Sequence, residues 1–174
     1  MRRPEHLVES FPPQVGTGCR VLILGTAPSL ASLALRQSYG HAQNLFWPFM
    51  GELLDAGPEL DYAERIRRLH ARGVGIWDVF AACERPGSLD SRIVRASEVP
   101  NDLHGLIARH PTIRTIVLNG GKTQQAFRRH FRGAGRVPWP AGVDVLDLPS
   151  TSPANASMPR ALKLERWRAL LDHV

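Results

Sequence analysis

A chain of 174 residues with 43% hydrophobic and 22% charged side chains has the mass of one domain with a continuous core, and no stretch approaches the roughly eighteen apolar residues of a membrane span. Two cysteines, Cys19 and Cys83, exclude a disulfide framework, a four-thiolate zinc site and, without other ligands, an iron-sulfur cluster. A formal charge of +6 with a pI near 10.3 suits a polyanionic partner such as nucleic acid.

Residues 1–18, with Pro4, Pro12 and Pro13, read as a partly irregular lead-in to a single domain over residues 19–174. The segment starts with basic residues but lacks an apolar h-region, so no signal peptide is expected and a cytoplasmic location is. RVLILG (20–25) is a short apolar run ending in Gly, the pattern of a strand buried on both faces of a parallel sheet. GVGIWDVF (73–80), TIRTIVLNG (112–120) and GVDVLDLPS (142–150) repeat it. Between them, NLFWPFMGELLDA, LDYAERIRRLHARG, VPNDLHGLIARHP and GKTQQAFRRHFRG have helical spacing, and MPRALKLERWRALLDHV reads as a closing amphipathic helix. Strands alternating with helices predict an α/β fold, a three-layer α/β/α sandwich around a central four-stranded, mostly parallel sheet. Ligands of such sheets sit beyond the carboxyl ends of the strands. That rule gathers GTAPS, WDVFAACERPGSLDS, NGGKT and PSTSPANAS into one cleft.

NGGKT ends like a phosphate loop, but the pattern needs Gly at 116, where the chain has Ile116. TAPSL lacks the Gly-x-Ser-x-Gly turn of a serine hydrolase, and Ser29 suits a helix cap or a phosphate donor better than a nucleophile. The seven histidines are dispersed and show no metal-ligand spacing, so neither a metal nor another cofactor is expected. Tyr39, His41, Asn44, Phe46 and Trp47 lie within nine positions; rings around an amide suit a planar heterocycle, though Phe46, Trp47 and Phe49 also fit the buried face of a helix.

GTAPS with QSYGHAQNLFW, then WDVFAACERPGSLDSRI, Asn101-Asp102, LNGGKTQQAF and LPSTSPANA together resemble the hypoxanthine-DNA glycosylase family of the uracil-DNA glycosylase superfamily, in order and over roughly residues 20–172. The resemblance implies the superfamily's four-stranded parallel sheet and a flipped nucleotide bound at its carboxyl edge. It implies hydrolysis of the N-glycosidic bond of a deaminated base in DNA, hypoxanthine above all, leaving an abasic site. Two departures stand out: the turn has Thr-Ala-Pro-Ser without a Gly after the Pro, and SYGH replaces a second Tyr and an Ala.

By that resemblance Asn44, in HAQNLFW, positions the attacking water. An Asn is no strong base, so the rate must come from orientation and electrostatics. Phe46 is expected to stack on the base and Tyr39 to wall the pocket, with His41 nearby; Trp47 reads equally well as core. Asn119 fits either a reader of the base edge or a turn residue before Gly120. Gly25, Thr26, Ala27, Pro28 and Ser29 are expected to approach the sugar and phosphates, as are Ser150, Ser152, Pro153, Asn155 and Ala156 of the second motif loop, with the wedge residue unassigned. Asp78 lines the cleft or braces a loop. The only lysines, Lys122 and Lys163, lie outside the opening motif, which predicts a monofunctional enzyme without lyase activity. A monomer acting on DNA containing deaminated bases, with no membrane and no metal partner, is the expected form. Preference for uracil or xanthine and non-catalytic binding of damaged DNA are the alternatives.

Overall fold

A computed structural model describes residues 4–174 of the chain. The central sheet has the order β3-β2-β6-β7, formed by β2 (Val21–Gly25), β3 (Val74–Asp78), β6 (Thr115–Asn119) and β7 (Asp144–Leu148), and every neighbouring pair is parallel. Side chains alternate across a strand, so β2 feeds both layers. Leu22 and Leu24 join Ile116, Leu118, Leu106 and Phe127 on one face, whereas Val21 and Ile23 join Val117, Phe49, Leu69 and Trp167 on the other. Helices α4 (Leu103–Arg109) and α5 (Gly121–Phe127) therefore cover the first face, and α2 (Phe46–Leu54), α3 (Tyr62–Ala71) and α6 (Arg160–Trp167) cover the second. This is the three-layer sandwich with a four-stranded parallel sheet that the apolar runs predict.

The run GVGIWDVF does not form one strand. It ends as a sheet strand at Asp78, and β4 (Phe80–Glu84) then turns into a second, antiparallel sheet ordered β1-β4-β5 with β1 (Leu7–Glu9) and β5 (Val99–Pro100). Val79 sits at the switch, its N–H donating to Gly25 O at 2.8 Å and its O accepting from Asn101 N at 2.8 Å. An unbroken apolar run hides such a change of sheet, because both strands are buried. The second sheet also gives the lead-in a structure: Val8 is buried on β1, and Gln14 bridges to the edge of β3 at Ile76.

The helix starts follow their side chains. Asp61 Oδ1 accepts from Glu64 N at the start of α3, and Asp102 Oδ1 accepts from Gly105 N at the start of α4, each at 2.9 Å. Ser29 caps α1 (Leu30–Leu35), its Oγ accepting from Ser32 N at 3.1 Å. No helix among the described residues is long and apolar enough to cross a membrane.

Candidate active site

The carboxyl ends of the four parallel strands carry the loops that the motifs occupy, and hydrogen bonds tie those loops together. Asn44 stands just before α2, half-buried. Its Oδ1 accepts from Phe46 N at 2.9 Å, which fixes the amide plane against the helix start and leaves the carbonyl a second lone pair. Leu45 N, the next residue, donates to Thr151 O at 2.9 Å. The Asn44 segment is thereby joined to the loop after β7.

Asn119 ends β6 and is buried. Its Oδ1 accepts from Thr151 N at 3.0 Å and its Nδ2 donates to Thr151 Oγ1 at 2.9 Å. The side chain is a two-point clamp on the second motif loop, with one amide hydrogen left over near the Tyr39 hydroxyl. Gly120 follows with φ of +93°, and a Cβ there would lie 2.6 Å from Ser150 Cβ, so only glycine lets the two loops pass this closely. Ser150 and Ser152 then use their hydroxyls locally, accepting from Ser152 N and Ala154 N at 3.1 and 3.2 Å. Pro153 and Ala156 are exposed and Asn155 half-buried at the loop tip. Lys163, buried on α6, holds that tip by donating to Asn155 O at 2.6 Å.

The ring cluster differs from the expectation in one respect. Phe46 has no exposed surface; Tyr39 stacks on it with centroids 3.9 Å apart and planes 17° from parallel, and the Trp47 and Trp167 edges close in from elsewhere. Phe46 is thus part of the core and lends rigidity, and Tyr39, half-buried against it, is the less enclosed of the two rings. Trp47 is buried too, its Nε1 donating to Ser38 O at 2.9 Å. Tyr39 holds a left-handed backbone, φ of +56°, uncommon for a residue with a bulky side chain. His41 lies on an exposed turn, its Nδ1 accepting from Gln43 N at 3.1 Å.

The first motif turns mostly inward. Gly25 and Pro28 are buried, as is Thr26, whose Oγ1 lies 2.9 Å from Thr123 Oγ1. Ala27 and Ser29 are half-buried. Pro28 O accepts from the guanidinium of Arg85 at 2.5 Å. Arg85 is almost wholly buried, also donates to Gly87 O at 2.9 Å, and stands 3.6 Å from Asp90. It ties the loop after β2 to the loop after β4, a role that nothing in CERPG announces beyond a charge beside an apolar strand.

At the centre of the edge, Gly25 and Asp78 are register partners on β2 and β3. A Cβ on Gly25 would lie 2.8 Å from Asp78 Oδ1 and 3.2 Å from the Tyr39 hydroxyl, so glycine leaves room for both side chains over the strand end. Burial pushes the Asp78 carboxyl up to about 7, the negative charge of Asp90 adding to the rise and Arg85 opposing it. Asp90 is raised for the same first reason, against a hydrogen bond from Thr26 and the charges of Arg85 and Lys122. Beside Asp90 a cleft of about 220 Å³ runs past Thr26 with Arg95 and Lys122 on its walls.

Charged groups, a held amide and a half-buried ring at the carboxyl edge of a parallel sheet suit an α/β enzyme that works on a planar base. The sequence profile of the Uracil DNA glycosylase superfamily matches residues 12–171, and the chain belongs to that superfamily of DNA glycosylases. It is 33% identical to the hypoxanthine DNA glycosylase of Methanosarcina acetivorans over 164 residues, 94% of this chain and 97% of the other. A hypoxanthine DNA glycosylase of Methanosarcina barkeri is 32% identical over 116 residues, covering 66% of this chain and 72% of its own. The solution NMR structure of a Methanosarcina acetivorans protein, described as a candidate uracil DNA glycosylase, superposes with a TM-score of 0.76 at 31% identity, covering 96% of this chain and 98% of its own.

Proposed function

We propose that the protein is a monofunctional DNA glycosylase that removes hypoxanthine from deoxyinosine, with Asn44 as the residue that positions the attacking water. The observation that carries this reading is the fixing of Asn44. Its Oδ1 is held by Phe46 N, and the neighbouring backbone is pinned to Thr151 on the opposite loop. A carbonyl oxygen so fixed accepts one hydrogen of a water through its free lone pair and aims the water's oxygen at C1′ of a flipped nucleotide. Breaking the bond builds positive charge on the sugar and negative charge on the base, so orientation and fixed dipoles carry most of the rate.

The flipped base stacks on the outer face of Tyr39, backed by Phe46. The hydroxyls and backbone groups of Ser29, Ser150, Ser152 and Asn155 meet the DNA backbone, as do the cations Arg95 and Lys122 beside the cleft; none of these contacts reads sequence. The enzyme acts as a cytoplasmic monomer. The names of the Methanosarcina relatives support hypoxanthine as the base.

Mass spectrometry of the free base released from duplexes carrying a single hypoxanthine, uracil or xanthine tests the reading. Hypoxanthine released fastest supports it; release of only uracil or only xanthine replaces the base, and no release overturns the enzyme. Lys122 is exposed near Asp90, whereas Lys163 is buried and bonded to Asn155 O. No covalent adduct is expected when borohydride is added during turnover, and a trapped adduct would assign a lyase step to Lys122.

A further inference from the structure

The carboxylates that serve the fold are recognisable here. Asp61 and Asp102 each cap a helix, and Asp90 sits against Arg85 and Thr26. Asp78 is different. Its backbone oxygen is held by Asn101 Nδ2 at 2.9 Å, and its carboxyl is influenced by burial and by the charges of Asp90 and Arg85 rather than by a hydrogen bond. It lies over Gly25 at the end of the β2–β3 pair, on the edge strand of the central sheet, alongside a buried Tyr39 hydroxyl that has the Asn119 amide beside it but makes no well-formed hydrogen bond. A carboxyl and a hydroxyl that come to one strand end with hydrogen-bonding capacity to spare are groups available to a ligand.

We propose that Asp78 is a catalytic residue of the glycosylase reaction, its carboxylic acid donating a proton to a ring nitrogen of the departing purine while the Tyr39 hydroxyl bonds the same base. The inference rests on the glycosylase reading above. The step balances without a further reactant. The C1′–N9 bond breaks with its electron pair going to the base, and the water held by Asn44 adds its oxygen to C1′. The base gains a proton from Asp78, and the proton that the water loses restores the acid. A purine leaves far more readily neutral than as an anion, so a group that is still protonated near neutral pH is what this position needs.

The groups facing Asp78 come from every neighbouring element. The loop before α2 supplies Tyr39, the loop after β4 supplies Asp90, and the end of β4 supplies Arg85, with the Cys83 thiol further along the same strand. Burial and Asp90 hold the carboxyl in its acid form up to about pH 7, so the acid is present below that value and lost as the pH rises through it.

Single-turnover excision of hypoxanthine from a duplex, followed from about pH 5.5 to about pH 9, tests the proposal on the wild type, Asp78→Asn and Asp90→Asn. The wild-type rate is expected to fall roughly tenfold per pH unit above its break. Asp78→Asn, which keeps the shape but cannot give a proton, is expected to lose at least tenfold in rate and to lack the alkaline limb. Asp90→Asn removes a like charge and is expected to move the break to lower pH; this arm stands even if Asp78→Asn fails to fold. A variant at position 78 that keeps the wild-type limb, or a break that Asp90→Asn leaves in place, would overturn the assignment. A wild type inactive on every deaminated base would instead overturn the glycosylase reading itself.

Discussion

Tyr39 carries more of the account than any other single ring. Its hydroxyl is buried with only the Asn119 amide nearby and no well-formed hydrogen bond, which costs the folded state about 1–3 kcal/mol, and its backbone is left-handed. Tyr39→Phe is therefore predicted to raise thermal stability while slowing excision, as measured by calorimetry and single-turnover kinetics; loss of stability with unchanged excision would remove the hydroxyl from the site. Gly25→Ala places a methyl 2.8 Å from Asp78 Oδ1 and is predicted to lower the excision rate at least tenfold while the protein still folds. At this scale the sequence exposed the cluster but not its layering. Phe46 and Tyr39 are equally flat in a string of letters, and only the packing of Trp47 and Trp167 around Phe46 encloses one ring fully and leaves the other half-buried. Asp78 was visible as a charge closing an apolar strand, but its weight depends on Asp90, twelve residues away in sequence, and on the absence of a cap.

At the scale of elements, the parallel strands were legible because each is a short apolar run bounded by glycine or polar residues. The second sheet was not: β1 and β5 are short, and β4 continues the apolar run of β3 without a break. The clamp from Asn119 to Thr151 was equally hidden, since it joins residues 32 apart. The loop it holds is also tied from α6, and Lys163→Met, which removes the amine from Asn155 O, is predicted to raise the Kd for lesion DNA several-fold in a binding titration with a smaller effect on the rate of bound complex. On the wall of the cleft, Glu98, just before β5, joins Arg129 and His130 at 2.6 and 2.7 Å. Burial opposes its charged form, but these two partners win and hold its carboxyl below the ordinary range. A depressed carboxyl stabilises the fold above its unfolded value and loses that contribution as the pH falls through the folded one. Glu98→Gln is thus predicted to cost about 2 kcal/mol near neutral pH, a difference that shrinks in acid when melting is followed against pH.

Over the whole molecule, charge and topology act together. A chain of +6 that needs to find rare lesions gains from sequence-independent attraction to phosphates, and the cations beside the cleft place part of it where the strand must pass. Binding measured by fluorescence anisotropy is predicted to weaken steeply with salt, and Lys122→Ala to reduce the slope of log K against log salt by about one. The fold contributes by bringing four separated motifs to one sheet edge, where Leu45, beside Asn44, bonds Thr151, Asn119 clamps Thr151 and reaches Tyr39, and Tyr39 and Asp78 lie over Gly25. The most direct test of the account is alkali-developed strand cleavage of a duplex carrying one hypoxanthine, run under single-turnover conditions with the wild type and Asn44→Ala. The account predicts alkali-dependent breaks at the lesion with the wild type and a rate about 10²-fold lower or less in the variant. Tight, lesion-dependent binding with no breaks, or a variant as fast as the wild type, would contradict it.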